Sequence, residues 1–269
     1  MQSRTKSWQK YYDTCAELDD KIFQTARFDV PKFQYQEIIK DIRKKLKLNT
    51  ENLLLDIGCA NGLIDRSISR DVKKIIGFDI STKELTHAIK NNHSISNILF
   101  CAGDAFKLPI RINSVDKTLL YGVTMHFEAE DIKKIIAEII DVTRNRGLIF
   151  IGDNIREYEN YKGKKRNKWN NFKAYCQLNP ENKSFIWIRV LMFLVVKKMV
   201  LTLRRILYKL QNKARTVPDP FPNISYSEEY MLEMIRELGQ EGRIYQQNYK
   251  LPYALDRYDI LIDVKKNHS

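Results

Sequence analysis

Apolar residues gather in short unbroken runs through the middle of the chain, and polar stretches with helical spacing separate them. Leu53–Ile57, Ile75–Phe78 and Ile98–Cys101 are aliphatic or aromatic runs short enough for strands buried on both faces. A fourth run lies within SVDKTLLYG, ending near Tyr121, and a fifth is GLIFIG, before Asp153. Helices are expected from about Leu63, over Thr82–Asn91, and over Asp131–Val142, where Ile132, Ile135, Ile136, Ile139 and Ile140 recur on one face. Gly147 then reads as a helix stop. Far downstream, Ser227 is the expected N-cap of another helix, and GRIYQQNY and YDILIDV are two last strands. Alternating strands and helices imply a parallel α/β sheet with right-handed crossovers. The first fifty residues read as helices carrying Trp8, Tyr11, Tyr12, Phe23 and Phe28.

The first strand runs into LDIGCANG, so that Asp56 closes it and Gly58, Cys59, Ala60 and Gly62 form a turn of small residues. Positions without a Cβ let the backbone turn sharply and let a ligand lie against the main chain. Asp79 ends the second strand 21 residues after Gly58, with Ile80 following it. A carboxylate there matches the adjacent hydroxyls of a ribose. Asp104 and Ala105 follow the third strand, where a carboxylate can accept from an adenine amine. A small-residue turn and two acid-tipped strands describe an adenosine-containing cofactor across the carboxyl ends of a parallel sheet. A dinucleotide would need GxGxxG to seat its pyrophosphate, and Leu63 stands where the third glycine would be.

Strand, acid and GxAxG turn, followed by Asp79 and Asp104, resemble the first three motifs of class I S-adenosylmethionine-dependent methyltransferases; Ala60 replaces the middle glycine. The resemblance covers 53–153 and 226–265. It implies a Rossmann-like sheet of seven strands, mostly parallel with the last antiparallel, and helices on both faces. S-adenosyl-L-methionine is the implied cofactor, with Tyr121 at the edge of its site. The implied domains are a helical cap over 1–52, a catalytic core over 53–153 and 226–269, and a helical insertion over 154–225. In the resembled family a segment such as the first fifty residues often folds over the cofactor, a task for Tyr11 and Tyr12. Packing on the sheet edge is the competing role.

The family's acceptor pocket lies beyond the fourth and fifth strands, where this chain offers Tyr121, His126, Glu128 and Asp153. His126 is the candidate general base, since a neutral imidazole accepts a proton near neutral pH. Asp153 is the candidate that orients it or binds the acceptor. YGVTMHF carries no Asn/Asp-Pro-Pro-aromatic motif, and no Pro-Cys pair occurs. The resemblance then implies O-methylation of a sugar, a nucleotide-linked sugar or a related small molecule, as in bacterial surface-polysaccharide and natural-product pathways. An RNA methyltransferase and a non-catalytic cofactor-binding subunit are the alternatives.

Charge separates the insertion from the rest. Residues 161–217 hold fifteen Lys or Arg against Glu181 alone, a net +14, while the whole chain is +13. Within 185–210, Met192, Val196, Met199, Leu203, Ile206 and Leu210 share one helical face, while Lys198, Arg205 and Lys209 lie on another. Its longest uncharged run is the seven residues Val190–Val196, against the roughly 20 of a bilayer span. Three uses stay open: packing on the catalytic domain or on a second copy in a homodimer, peripheral contact with anionic lipid, and binding of nucleic acid. Four cysteines without CxxC spacing, and a start without an apolar h-region, point to a cytoplasmic setting, at most peripheral to the inner face of the membrane. Four scattered histidines give no metal-ligand pattern.

Overall fold

The computed structural model describes residues 2–17, 32–157, 222–248, 251 and 256–266. The amphipathic segment 185–210 lies outside the described residues, as does all of the insertion but its two edges. Seven strands form one sheet in the order β3-β2-β1-β4-β5-β7-β6. These are β1 (Leu53–Ile57), β2 (Lys74–Asp79), β3 (Ile98–Ala102), β4 (Val115–Tyr121), β5 (Thr143–Ile155), β6 (Gly242–Gln246) and β7 (Arg257–Asp263). The first five are mutually parallel, and β7 runs antiparallel between β5 and β6. The chain reverses its strand order beside β1, so the carboxyl ends of β1, β2 and β4 open onto one crevice.

Period-two alternation divides the core between the two faces of the sheet. Leu54, Leu119, Phe150 and Leu261 point to one face, where α2 (Lys32–Leu46) lays down Ile38, Ile39, Ile42 and Leu46. Leu55, Leu120, Ile149, Ile151, Ile260 and Ile262 point to the other. That face is covered by α5 (Ala129–Val142), whose five expected isoleucines are all buried, and by α6 (Glu228–Glu237). Ser227 caps α6 by accepting from the Tyr230 amide at 3.1 Å. The remaining helices are α1 (Gln2–Glu17), α3 (Leu63–Ile68) and α4 (Thr82–Asn92), with α1 lying against α4.

Gly147 is not a helix stop. Helix α5 ends at Val142, and Thr143 is already extended and paired with Val115. A Cβ at Gly147 would sit 2.5 Å from Thr143 Cγ2 and 2.9 Å from the Asp116 carbonyl oxygen. The glycine therefore admits β4 close to β5; the left-handed turn beside it is made by Arg146 (φ 63°).

Candidate functional site

The turn after β1 takes the backbone that the small residues were expected to allow: Gly58, Ala60 and Gly62 have φ of 77°, 48° and 70°. A Cβ on Gly58 would lie 2.4 Å from Val123 Cγ2, and one on Gly62 would lie 2.5 Å from the Phe100 ring. The Gly58 and Cys59 amides both reach the Phe78 carbonyl, which fastens the turn to β2. Asp56 and Cys59 are buried beneath it. Asp56 Oδ2 meets no protein donor, and the same is true of both oxygens of Asp65 on α3.

Asp79 closes the far side of the turn. Its Oδ2 accepts from the Ala60 amide and its Oδ1 from the Ser81 amide, each at 2.8 Å, so one carboxylate fixes both the turn and the start of α4. Burial raises its pKa, the backbone donors of Ser81, Ala60 and Ile80 oppose this, and Asp13 adds to the rise. Ser81 is the N-cap of α4, accepting from the Glu84 amide, and donates its own hydroxyl to Asp13 on α1 at 2.7 Å. In a full capping box Glu84 would reach back to the Ser81 amide. Asp79 already holds that amide, so buried Glu84 keeps Oε2 without a partner. Burial first, then Asp79 and Asp13, push its pKa up to about 8.

Asp104 follows β3 and is held beside Asp79, because the Gly103 amide donates to the Asp79 carbonyl. Its exposed carboxylate accepts from the Phe106 amide. Ala105 and Phe106 pack against the core from the same loop.

Opposite these groups, the loop after β4 turns through a short 3-10 segment, Thr124–His126. Buried Thr124 donates to Asn154 Oδ1 at 2.8 Å, the Met125 carbonyl accepts from Ile224, and the Phe127 carbonyl accepts from Tyr226. Both edges of the loop are thereby pinned, and His126 is held between them. Its Nε2 lies 2.8 Å from the Tyr12 hydroxyl, and the Trp8 ring packs against it at a tilt, 4.3 Å between ring centroids. Tyr11 meets Tyr12 edge to face at 5.1 Å. Consecutive residues of α1 thus touch both sides of the crevice: Asp13 at the Asp79 end and Tyr12 at His126.

Asp153 and Tyr121 stand elsewhere. Asp153 sits at an irregularity in β5 with φ 64°, its amide donating to Asp259. Its carboxylate accepts from Gln247 at 3.0 Å and lies 3.9 Å from Arg257 Nε. Asp259 is in turn paired with Lys45 at 2.7 Å, which anchors the bulge to α2. The partner seen on His126 Nε2 is Tyr12 rather than Asp153. Tyr121 is buried against Phe150 at 6.2 Å between ring centroids, over Gly152, where a Cβ would lie 2.3 Å from its ring. Asp13, Ser81, Glu84, Asp65, Thr124 and Asn154 were not among the expected site residues. The spacing Ser81-x-x-Glu84 is a capping-box signal that marks the first of these contacts in sequence.

An adenosyl cofactor fits these residues. The turn takes a left-handed backbone at Gly58, Ala60 and Gly62, and Asp79 and Asp104 stand on adjacent strand ends. Among the described residues no group of three or more His, Cys, Asp or Glu is placed to hold a metal ion, and no helix is long and apolar enough to cross a membrane.

Residues 55–151 match the model of the methyltransferase domain family. That match runs from β1 to β5, and the sheet has the fold of solved S-adenosylmethionine-dependent methyltransferases. Solved structures share the fold. A methyltransferase of this kind from Aquifex aeolicus superposes with TM-score 0.55 at 13% identity, over 91% of this chain and 100% of that one. A putative one from Methanococcus maripaludis gives 0.55 at 16%, over 97% and 94%. Phosphoethanolamine N-methyltransferase 1 from Haemonchus contortus, solved with phosphoethanolamine and S-adenosylhomocysteine, gives 0.63 at 14%, over 98% of this chain and 49% of that one. No curated protein sequence matches the chain.

Proposed function

We propose that the protein methylates a hydroxyl group of a small acceptor, a sugar, nucleotide-linked sugar or related molecule, with His126 as the general base. The observation that carries this reading is the Tyr12–His126 hydrogen bond, set between a capping helix and a doubly pinned loop. The cofactor, when bound, supplies an electrophilic methyl group on a sulfonium. A hydroxyl nucleophile must shed its proton, and the tyrosine–imidazole pair provides the route: Tyr12 Oη takes the acceptor's proton as its own passes to His126 Nε2. Asp79, with Asp104 beside it, holds the adenosine half, and the Gly58–Gly62 turn accepts the amino-acid end. Asp153, its amide held by Asp259 and its carboxylate facing Arg257, is the residue we assign to binding the acceptor. Trp8 and Tyr11 exclude water from above.

The setting we infer is cytoplasmic, with the basic segment 185–210 resting on anionic lipid or on a second copy of the chain. The test uses methyl-labelled S-adenosylmethionine with a panel of nucleotide sugars, free sugars and bulk RNA. A labelled hydroxyl, lost in His126→Gln, is the expected result. Label in RNA or on an amine would overturn the reading, and no labelled product from any extract would make the chain a cofactor-binding subunit.

A further inference from the structure

The chain leaves the sheet after β5 and comes back to it beside the loop that carries His126. The outgoing residues Ile155, Arg156 and Glu157 and the returning residues Ile224 and Tyr226 meet at a neck. There the Tyr226 amide donates to the Ile155 carbonyl at 3.1 Å, and the Glu157 amide donates to the Tyr226 carbonyl at 3.2 Å. The same carbonyl accepts from the hydroxyl of Tyr258, a fully buried residue of β7, at 3.1 Å. Arg156 is tied to Glu228 on α6 at 2.5 Å. The returning leg is therefore fastened to the sheet by bonds that do not involve the His126 loop.

From that anchorage it reaches both neighbours of the histidine. The Ile224 amide donates to the Met125 carbonyl at 2.9 Å, and the Tyr226 hydroxyl donates to the Phe127 carbonyl. Tyr226 is buried and stacks on Tyr230, 5.9 Å between ring centroids, so its surroundings aim that hydroxyl. Inside the loop, the His126 and Phe127 amides donate to the Val123 and Thr124 carbonyls, which closes the 3-10 turn. Thr124 ties the start of the loop to Asn154, two residues before the histidine. A hydrogen bond weakens steeply as its angle opens, so a small swing of this loop would misdirect Nε2 from the Tyr12 hydroxyl, 2.8 Å away.

We infer that Tyr226 is a positioning residue for His126: with Ile224 it clamps the carbonyls of the residues before and after the histidine and so sets the imidazole toward Tyr12. The inference rests on the proposed role of His126 as the base. It also ties the long excursion between 157 and 222 to the site, since both ends of that segment must meet at the neck before the clamp can form.

The experiment reads the ring signals of His126 by nitrogen–proton correlation NMR of the full-length, unliganded protein. The chain has four histidines, and the signal missing from His126→Gln assigns the one required. Tyr12→Phe removes the hydroxyl that Nε2 meets and sets the displacement for a lost bond. Tyr226→Phe deletes only the hydroxyl that holds Phe127; it is expected to move the His126 signals in the same direction by at least about half that displacement. Tyr230→Phe keeps the stack and should leave the signals at their wild-type positions. In all three variants the affinity for S-adenosylhomocysteine, measured by calorimetry, should stay within about twofold of wild type. If Tyr226→Phe does not fold, Ile224→Pro, which removes the amide that donates to Met125, is read in the same way. Wild-type His126 signals in folded Tyr226→Phe overturn the inference whatever its melting temperature, because a merely structural bond would cost stability alone. An equal displacement in Tyr230→Phe overturns it too. Wild-type signals in Tyr12→Phe would instead overturn the Tyr12–His126 bond and the proposed proton route, and the inference with them.

Discussion

Replacing Asp79 with Ala separates two duties that one carboxylate performs. In the unliganded protein the side chain accepts from Ala60 and Ser81, both at 2.8 Å, so its removal orphans two amides. Each unsatisfied amide costs about 1–3 kcal/mol where water cannot replace the bond. Against this, the substitution relieves the burial of a charge near Asp13, Asp56 and Glu84, which raises the pKa values of its neighbours. The net loss of folding stability should be about 1–3 kcal/mol, which urea unfolding of the unliganded variant measures. Cofactor binding loses more than the scaffold alone, because the ribose hydroxyls also lose a charged acceptor. A further weakening of about 1–3 kcal/mol, or roughly fivefold to 150-fold in Kd for S-adenosylhomocysteine, is expected. Asp79→Asn should fall between, since its amide can accept from one backbone donor but presents hydrogens to the other. Calorimetry at a urea-free temperature well below both melting transitions separates the two losses. If the Ala variant binds S-adenosylhomocysteine within twofold of wild type, Asp79 does not touch the ribose and the site has been placed wrongly.

Gly58→Ala should lose about 2–4 kcal/mol of stability, from a left-handed backbone and a methyl 2.4 Å from Val123, whereas Gly239→Ala, at φ 72° with open space around it, should lose only about 1 kcal/mol; equal losses in urea unfolding would remove the steric part of the argument. Tyr12→Phe should leave S-adenosylhomocysteine affinity within about twofold while lowering kcat by roughly 100-fold and shifting its pH profile, because the ring still packs on Trp8 but the proton route is cut; an unaltered pH profile would return Tyr12 to a packing role. Asp56 and Glu84 are held protonated to about 7 and about 8 when folded, against ordinary values of 3.8 and 4.5. Their contribution is therefore fully present at acid pH and lost as pH rises through those folded values, so the unliganded protein should melt at a higher temperature near pH 6 than near pH 8.5. Glu84→Gln should shrink that difference, and a melting temperature that climbs with pH would contradict the burial of these acids.

What could be seen in the sequence follows from how far apart the partners are. The strand–turn unit Leu53–Gly62, the acid at Asp79 and the isoleucine stripe of α5 are local: run length, one change of period and a few small residues define them, and the sheet places them as expected. Gly147 shows where a local signal has two meanings. A glycine shortly after a helix suits a stop, but here it lets β4 approach β5, and only the neighbouring strand reveals this. The pairing of Tyr12 with His126 spans 114 residues, and that of Lys45 with Asp259 spans 214. No periodicity encodes such contacts; they exist because the sheet order brings β4, β5 and β7 together under helices from the start of the chain. For the same reason the company of Asp153, namely Gln247, Arg257 and Asp259, could not be foreseen.

The long-range contacts also explain why the two halves of the site belong to one device. Helix α1 contributes Asp13 to the N-cap of α4 and Tyr12 to His126 from adjacent positions on a rigid backbone. A displacement of α1 that frees Ser81 must therefore also withdraw Tyr12 from the imidazole. Asp79 shares its carboxylate between Ser81 and Ala60, so the same displacement is felt by the cofactor turn. The proposed proton route thus depends on a helix that the Asp79–Ser81 end of the crevice also holds. On the proposed assignment, the alignment of Tyr12 with His126 is coupled to the Asp79 corner through consecutive residues of one helix, with no need for a longer chain of contacts.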